Sequence, residues 1–276
     1  MNRSTIALCA AGIVLLASVI AAGRQYARRQ YRSDLRPERR GVPDWKIDDH
    51  FRDDVFTFVR VQYSSWGGWD RWRIDYPDAE LNFSYRLQQL TSLHVNPDGR
   101  ILQLTDPELF NYPFIYIIEP GQLVFSHQEV SALRRYLLNG GFLMVDDFWG
   151  DYEWNNFYRE IKRVFPNREP RELPLEHPIF HCVYDLKERP QVPAYGVARP
   201  GPDGKLITWE RGPDTRDVHY KGLFDDNGRM MAIICHNTDL GDGWEREGID
   251  QWYFKEFSEK KAYPLGINIV FYAMTH

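Results

Sequence analysis

Residues Ser126 to Gly150, SHQEVSALRRYLLNGGFLMVDDFWG, constrain the fold more than any other stretch of this chain. Ser126 and Glu129 stand at capping-box spacing, so each can satisfy an orphan amide of a helix's first turn. Val130, Leu133, Tyr136 and Leu137 then recur at helical period. Gly140 and Gly141 suit the left-handed backbone that closes a helix. Phe142 to Val145 is a short apolar run, the pattern of a strand covered on both faces. Asp146 and Asp147 follow at its carboxyl end, where open α/β sheets take their ligands.

The same alternation runs through much of the chain. Val55 to Tyr63 reads as a β-branched, aromatic strand. The loop SSWGGWDRWRIDYPD follows, then helical spacing over Ala79 to Thr91 with Asp78 as a cap. Asn96-Pro97-Asp98-Gly99 is a turn; strands are expected at Ile101 to Leu104 and Phe114 to Ile118. Trp154 to Phe165 is an amphipathic helix, and the proline-rich stretch from Pro166 to Pro202 is mostly loop. One late strand pair includes Lys205 to Trp209. Another joins His219–Phe224 to Arg229–Cys235 across Asp225-Asp226-Asn227-Gly228. After an acidic loop, a final helix is expected from Pro264 to Met274. Strands alternating with helices predict a mostly parallel sheet with helices on both faces, extended by an antiparallel hairpin.

The first 23 residues form a separate segment. Ser4 to Gly23 is twenty residues without a charge, the length that crosses a bilayer. A cleaved signal peptide is the alternative, but the apolar run exceeds the usual signal core, so an anchor over residues 5–22 is favoured. Seven arginines between Arg24 and Arg40 favour a cytoplasmic body under the positive-inside rule; a cleaved signal would instead export it. Residues 24–50 read as a basic linker and 51–276 as the globular domain. The net charge of −5 and pI of 5.9 argue against nucleic-acid binding, which needs a basic face. Cys182 and Cys235 are expected as buried thiols more often than as a disulfide.

The blocks FTFVRVQY, DYPDAELNFSYRLQQLT, LTDPELFNYPFIYII, LRRYLLNGGFLMVDD and YPLGINIVFYAMTH resemble the bacterial domain-of-unknown-function family 4159. That resemblance implies a flavodoxin-like fold of the class I glutamine amidotransferase-like superfamily. Gly140-Gly141, His177-Pro178-Ile179-Phe180 and Gly228-Arg229 leading to His236 are also similar to trehalose-utilisation-type domains. Relatives of the family are often fused to, or encoded near, membrane proteins with von Willebrand A-type domains and AAA-type ATPases, which implies membrane-protein assembly partners.

Glutaminase chemistry needs a cysteine on a tight strand-to-helix elbow with a base in reach, and no Gly-x-Cys-x-Gly occurs here. Asp146, Asp147 and His236 are the catalytic candidates. In a regular strand the two aspartates face opposite sides, so one at most enters a given crevice unless the chain bends. Asp75, Trp66, Trp69, Trp149 and His177 are the ligand-binding candidates; the aromatic loops after two parallel strands would share one edge and suit a sugar or another ring-bearing ligand. The bland readings are a lid of packed aromatics, capping acids and structural histidines. His177, His181 and Cys182, or His236 with Asp239 and Asp242, lack a recognised metal spacing, and Gly67-Gly68 lacks the Lys-Ser/Thr of a phosphate loop. No metal and no cofactor are therefore expected, with an acidic, metal-dependent site as a third possibility. The expectation is a membrane-tethered ligand-binding or assembly component of the cell envelope, with a hydrolase or sugar-modifying enzyme using a strand-end Asp and His236 as the rival.

Overall fold

A computed structural model describes residues 39, 41–51 and 54–276 of the chain. Residues 1–23, expected as an anchor or signal, and most of the 24–50 linker lie outside them. Among the described residues no helix is long and apolar enough to cross a membrane. Residues 42–276 form one compact unit.

Its centre is a mixed, mostly parallel sheet of seven strands. In chain order these are β1 (Val59–Val61), β2 (Arg100–Leu102), β3 (Phe114–Ile118), β4 (Phe142–Asp146), β5 (Arg171–Glu172), β6 (His219–Phe224) and β7 (Met230–His236). In space they run β2-β1-β3-β4-β7-β6-β5. The first five of that order are mutually parallel, and β6 and β5 join the edge antiparallel. The chain order reverses between β1 and β3. Both strands, and β4 beyond them, point the same way, so the loops that leave them open on one rim.

Five helices cover the sheet: α1 (Asp78–Leu90), α2 (His127–Leu138), α3 (Gly150–Val164), α4 (Leu240–Glu245) and α5 (Tyr263–Thr275). Alternate strand residues feed two separate cores, as the period of two demands. Phe114, Tyr116, Phe142, Met144 and Ile233 pack with Phe83, Trp244 and Leu265 on the α1, α4 and α5 side. Ile115, Ile117, Leu143, Val145 and Ile234 pack with Leu133, Phe157 and Ile161 on the α2 and α3 side.

The opening stretch folds as its sequence dictates. Ser126 Oγ accepts from the Glu129 amide at 3.2 Å, and Glu129 Oε2 accepts from the Ser126 amide at 2.7 Å. The helix closes at Gly140, φ 101°, where the Gly141 amide donates to Tyr136 O at 3.0 Å, the longer bond of a Schellman motif.

Several boundaries move. The first strand shortens to Val59–Val61, with Phe56 making only an isolated bridge to Val95. Pro77, not Asp78, occupies the α1 cap position. α3 starts at Gly150 rather than Trp154 because Glu153 Oε2 takes the Trp149 amide at 2.8 Å and Asn237 Oδ1 takes the Gly150 amide at 2.8 Å, extending the helix by a turn. The supposed acidic loop is α4, buried from Leu240 to Glu245. A π-helix, Phe254–Ala262, precedes α5. Cys182 and Cys235 are both free thiols.

Candidate functional site

Three adjacent parallel strands end in the same unusual way. Glu119 after β3, Asp147 after β4 and Asn237 after β7 have φ of 47°, 55° and 60°, and Asp75, ahead of α1, has φ 64°. Left-handed backbone is uncommon outside glycine, and Asp and Asn are among the residues that tolerate it best. The cost is about 1–3 kcal/mol each, and such strain concentrates at functional sites.

The bend at Asp147 decides where its carboxyl goes. Instead of facing away from Asp146, Asp147 joins Asp75 and Asp239, each offering an oxygen within 4.8 Å of the others. Asp75 forms a second such group with Asp242 and Glu245. The α4 segment delivers three of these acids. Asp239 caps it, accepting the Asp242 amide at 2.7 Å. Gly241 permits the close approach: a Cβ there would lie 2.6 Å from Asp75 Oδ2 and 3.1 Å from the Tyr116 hydroxyl.

Asp146 sits beside this group, fully buried. Its Oδ2 accepts from the Tyr116 hydroxyl at 3.1 Å and from the Gly241 amide at 3.0 Å. Next along the same face, Arg60 lies opposite Tyr116 in register, its guanidinium carbon 5.2 Å from that ring. Arg60 is itself fully buried, paired with Glu80 and donating to Trp72 O and Ile74 O at 2.9 and 2.8 Å. A polar row thus crosses β1, β3 and β4 beneath α4.

The electrostatics are those of acids short of counter-charge. Burial pushes Asp146 up to about 7, against the hydrogen bonds from Gly241 and Tyr116. Burial, then the charges of Glu119 and Asp146, raise Asp147 well above the carboxylate range. Burial, then Asp147 and Asp242, do the same for Asp239. Burial works against the charge of Arg246, but Asp242 and Glu245 outweigh it and hold that guanidinium ionised. Arg246 alone does not neutralise the group. Carboxylates this close in a dry site discharge each other by holding protons or by sharing a cation. Asp75, Asp147 and Asp239 are the residues whose oxygens would hold a hard divalent ion, which takes oxygen ligands.

The other expected residues scatter. Trp149 is buried and donates its Nε1–H to Asp147 Oδ1 at 3.1 Å, so it braces the acid rather than offering a ring face. His236 lies on the opposite side of the sheet from Asp146. It packs 4.8 Å from Phe148 and 5.2 Å from Trp154, with Nε2 3.2 Å from Gly150 O. Burial lowers its pKa to about 4, leaving it neutral. His177 caps a short turn at the other pole: its ring is 5.5 Å from Tyr272, which packs on Phe142, the first residue of β4.

Trp66 and Trp69 stay on the rim at 55% and 57% exposure, while Trp72 is buried. The packed-lid reading therefore holds for Trp72 and Trp149 and fails for these two. Sequence reasoning passed over Arg60, Tyr116 and Glu119. For Arg60 and Tyr116 the available signal was a charge or hydroxyl at a core-facing position of an apolar strand; Glu119 follows its strand and carried no such signal.

The chain belongs to the family described as a domain of unknown function (DUF4159), which it matches over residues 57–274. No curated protein matches it.

Proposed function

We propose that this protein is a membrane-tethered domain of the flavodoxin-like, amidotransferase-like class that binds a ligand rather than hydrolysing glutamine, as a component of a cell-envelope assembly. The order of its parallel strands, β2-β1-β3-β4-β7, supports the flavodoxin-like part, because it is the doubly wound order with a switch point between the first and third strands. The uncharged segment from Ser4 to Gly23 supports the tether.

One observation carries the binding reading. Hydrolases of related architecture place their nucleophile on a strained strand-to-helix turn. Here the turn between β4 and α3 holds Asp147 at φ 55°. Burial and neighbouring acids favour its neutral form, and a neutral carboxyl is a poor nucleophile. The thiol of Cys235 is buried within the β7 core and pushed up by burial; Cys182 lies in the loop after the Pro178–Phe180 turn. His236, the base of the hydrolase alternative, packs on the other face of the sheet from Asp146, which favours the binding reading over it.

Ammonia release from glutamine by the purified full chain tests this. The expected result is release no faster than in protein-free buffer. Release that Asp147→Asn or Cys235→Ser abolishes, with the fold intact by circular dichroism, overturns the reading.

A further inference from the structure

The chain order reverses between β1 and β3, and open α/β sheets take ligands in the crevice beyond the carboxyl ends at such a point. The loop leaving β1 is the one that carries Trp66 and Trp69. It is held in place on the side where it leaves the strand. Ser64–Ser65 pairs antiparallel with Leu123–Val124, and the Trp66 amide donates to Gln122 O at 3.1 Å.

Two clefts flank this loop. The first, of ≈ 280 Å³, is lined by Trp69 with Gln62, Ser64, Asp70, Gln103 and Glu129. The second, of ≈ 610 Å³, is lined by Trp66 and Tyr152 with Asn155, Arg159 and Glu160. Each cleft combines an exposed aromatic face with planar amide and carboxylate groups. Tyr152 is the most exposed of the rim aromatics, at 68%. Large apolar rings gain by leaving water, and here two stand exposed on this loop and Tyr152 on the first turn of α3 instead of sinking into the core.

We propose that these clefts form one binding face for an oligosaccharide, with Trp66 and Trp69 as neighbouring stacking platforms. Sugar rings present an apolar C–H face to an aromatic ring and hydroxyls at their edges, and the lining supplies both kinds of partner. The Cα atoms of Trp66 and Trp69 lie at most about 11 Å apart and their side chains extend beyond that, so the platforms suit a few linked rings rather than one. Asp70 and Glu129 make the first cleft acidic and disfavour a polyanion such as nucleic acid there; in the second, Glu160 is paired with Arg163 and stands beside Arg159. This inference deepens the binding reading by naming its ligand class. Glutamine turnover would sink that reading and leave this surface standing; absence of glycan binding would sink this one alone.

The test is titration calorimetry of the full chain in a detergent without a sugar headgroup, with chitohexaose, cellohexaose and maltohexaose as probes. Saturable binding of at least one is expected. Trp66→Ala and Trp69→Ala should each weaken it about tenfold, and Trp66→Phe should restore most of the loss. Trp252→Ala, an exposed ring outside both clefts, should leave binding unchanged. All three positions changed are at the surface, and near-ultraviolet circular dichroism verifies the fold. No saturation by any probe up to about 10 mM, a concentration that reveals even weak sites, overturns the proposal. So does binding that neither Trp66→Ala nor Trp69→Ala moves, or that Trp252→Ala reduces equally.

Discussion

Replacing Asp146 by Asn should make this domain less sensitive to rising pH. Asp146 titrates near 7 instead of 3.8 because it is fully buried, and this outweighs the hydrogen bonds, led by the Gly241 amide and the Tyr116 hydroxyl, that favour its anion. A carboxyl whose pKa is raised by folding binds its proton more tightly in the native state. Its stabilising effect is full below the unfolded value of 3.8, fades as pH climbs to about 7, and is gone above that. The interval corresponds to about 4 kcal/mol at 1.36 kcal/mol per pH unit. Asn keeps the size and a carbonyl oxygen for both donors but cannot ionise. Urea unfolding in a chelating buffer at about pH 4 and about pH 8 should show wild type losing up to about 4 kcal/mol more than Asp146→Asn. In thermal melts the differential is about 8–16 °C for a domain of this size. Comparing the two proteins removes the titration of Asp147 and Asp239 that is independent of Asp146, since both retain these acids, and leaves only the part that the charge of Asp146 itself imposes on them. Parallel pH profiles, with Asp146→Asn offset by a constant, would refute the argument that burial governs this group.

His236 should act in the opposite direction: its pKa falls from 6.5 to about 4, so its contribution is present above the unfolded value and is lost as pH drops through the folded one. His236→Gln should flatten that acid limb by about 3 kcal/mol, read by the same urea series. Arg60→Met strands the buried Glu80 and should cost about 3–5 kcal/mol, and adding Glu80→Gln should recover part of it; full stability in the single variant would show that the pair contributes little. Gly241→Ala pushes a methyl to 2.6 Å from Asp75 Oδ2 and should cost about 1–3 kcal/mol, measured by denaturant midpoint; an unchanged midpoint would show that the close approach costs nothing to relieve.

Much of the architecture was legible because local signals agreed with one another. The Ser126 box, the Gly140 stop and the apolar run to Val145 all act over a few residues, so helix, turn and strand follow from the sequence. The parallel arrangement followed from alternation, and the shared rim of the β1 and β4 loops followed from that. The hairpin of β6 and β7 was set by its Asp-Asn-Gly turn. Residue chemistry likewise excluded an elbow cysteine.

The site depended on something no window of sequence contains. Asp75, Asp147, Asp239 and Asp242 are spread along the chain, and a strand's alternation places Asp146 and Asp147 apart. A single left-handed residue after β4 reverses that placement, and its cost is tolerated only because the surrounding fold holds it. Burial, which sets the charge of Asp146, is likewise a property of α4 lying over the sheet. His177 stood in the sequence as a ligand-binding candidate and His236 as a catalytic one. The strand direction sent one to the far pole and the sheet's two faces separated the other, since which side chains meet is decided by packing across layers rather than by neighbours along the chain.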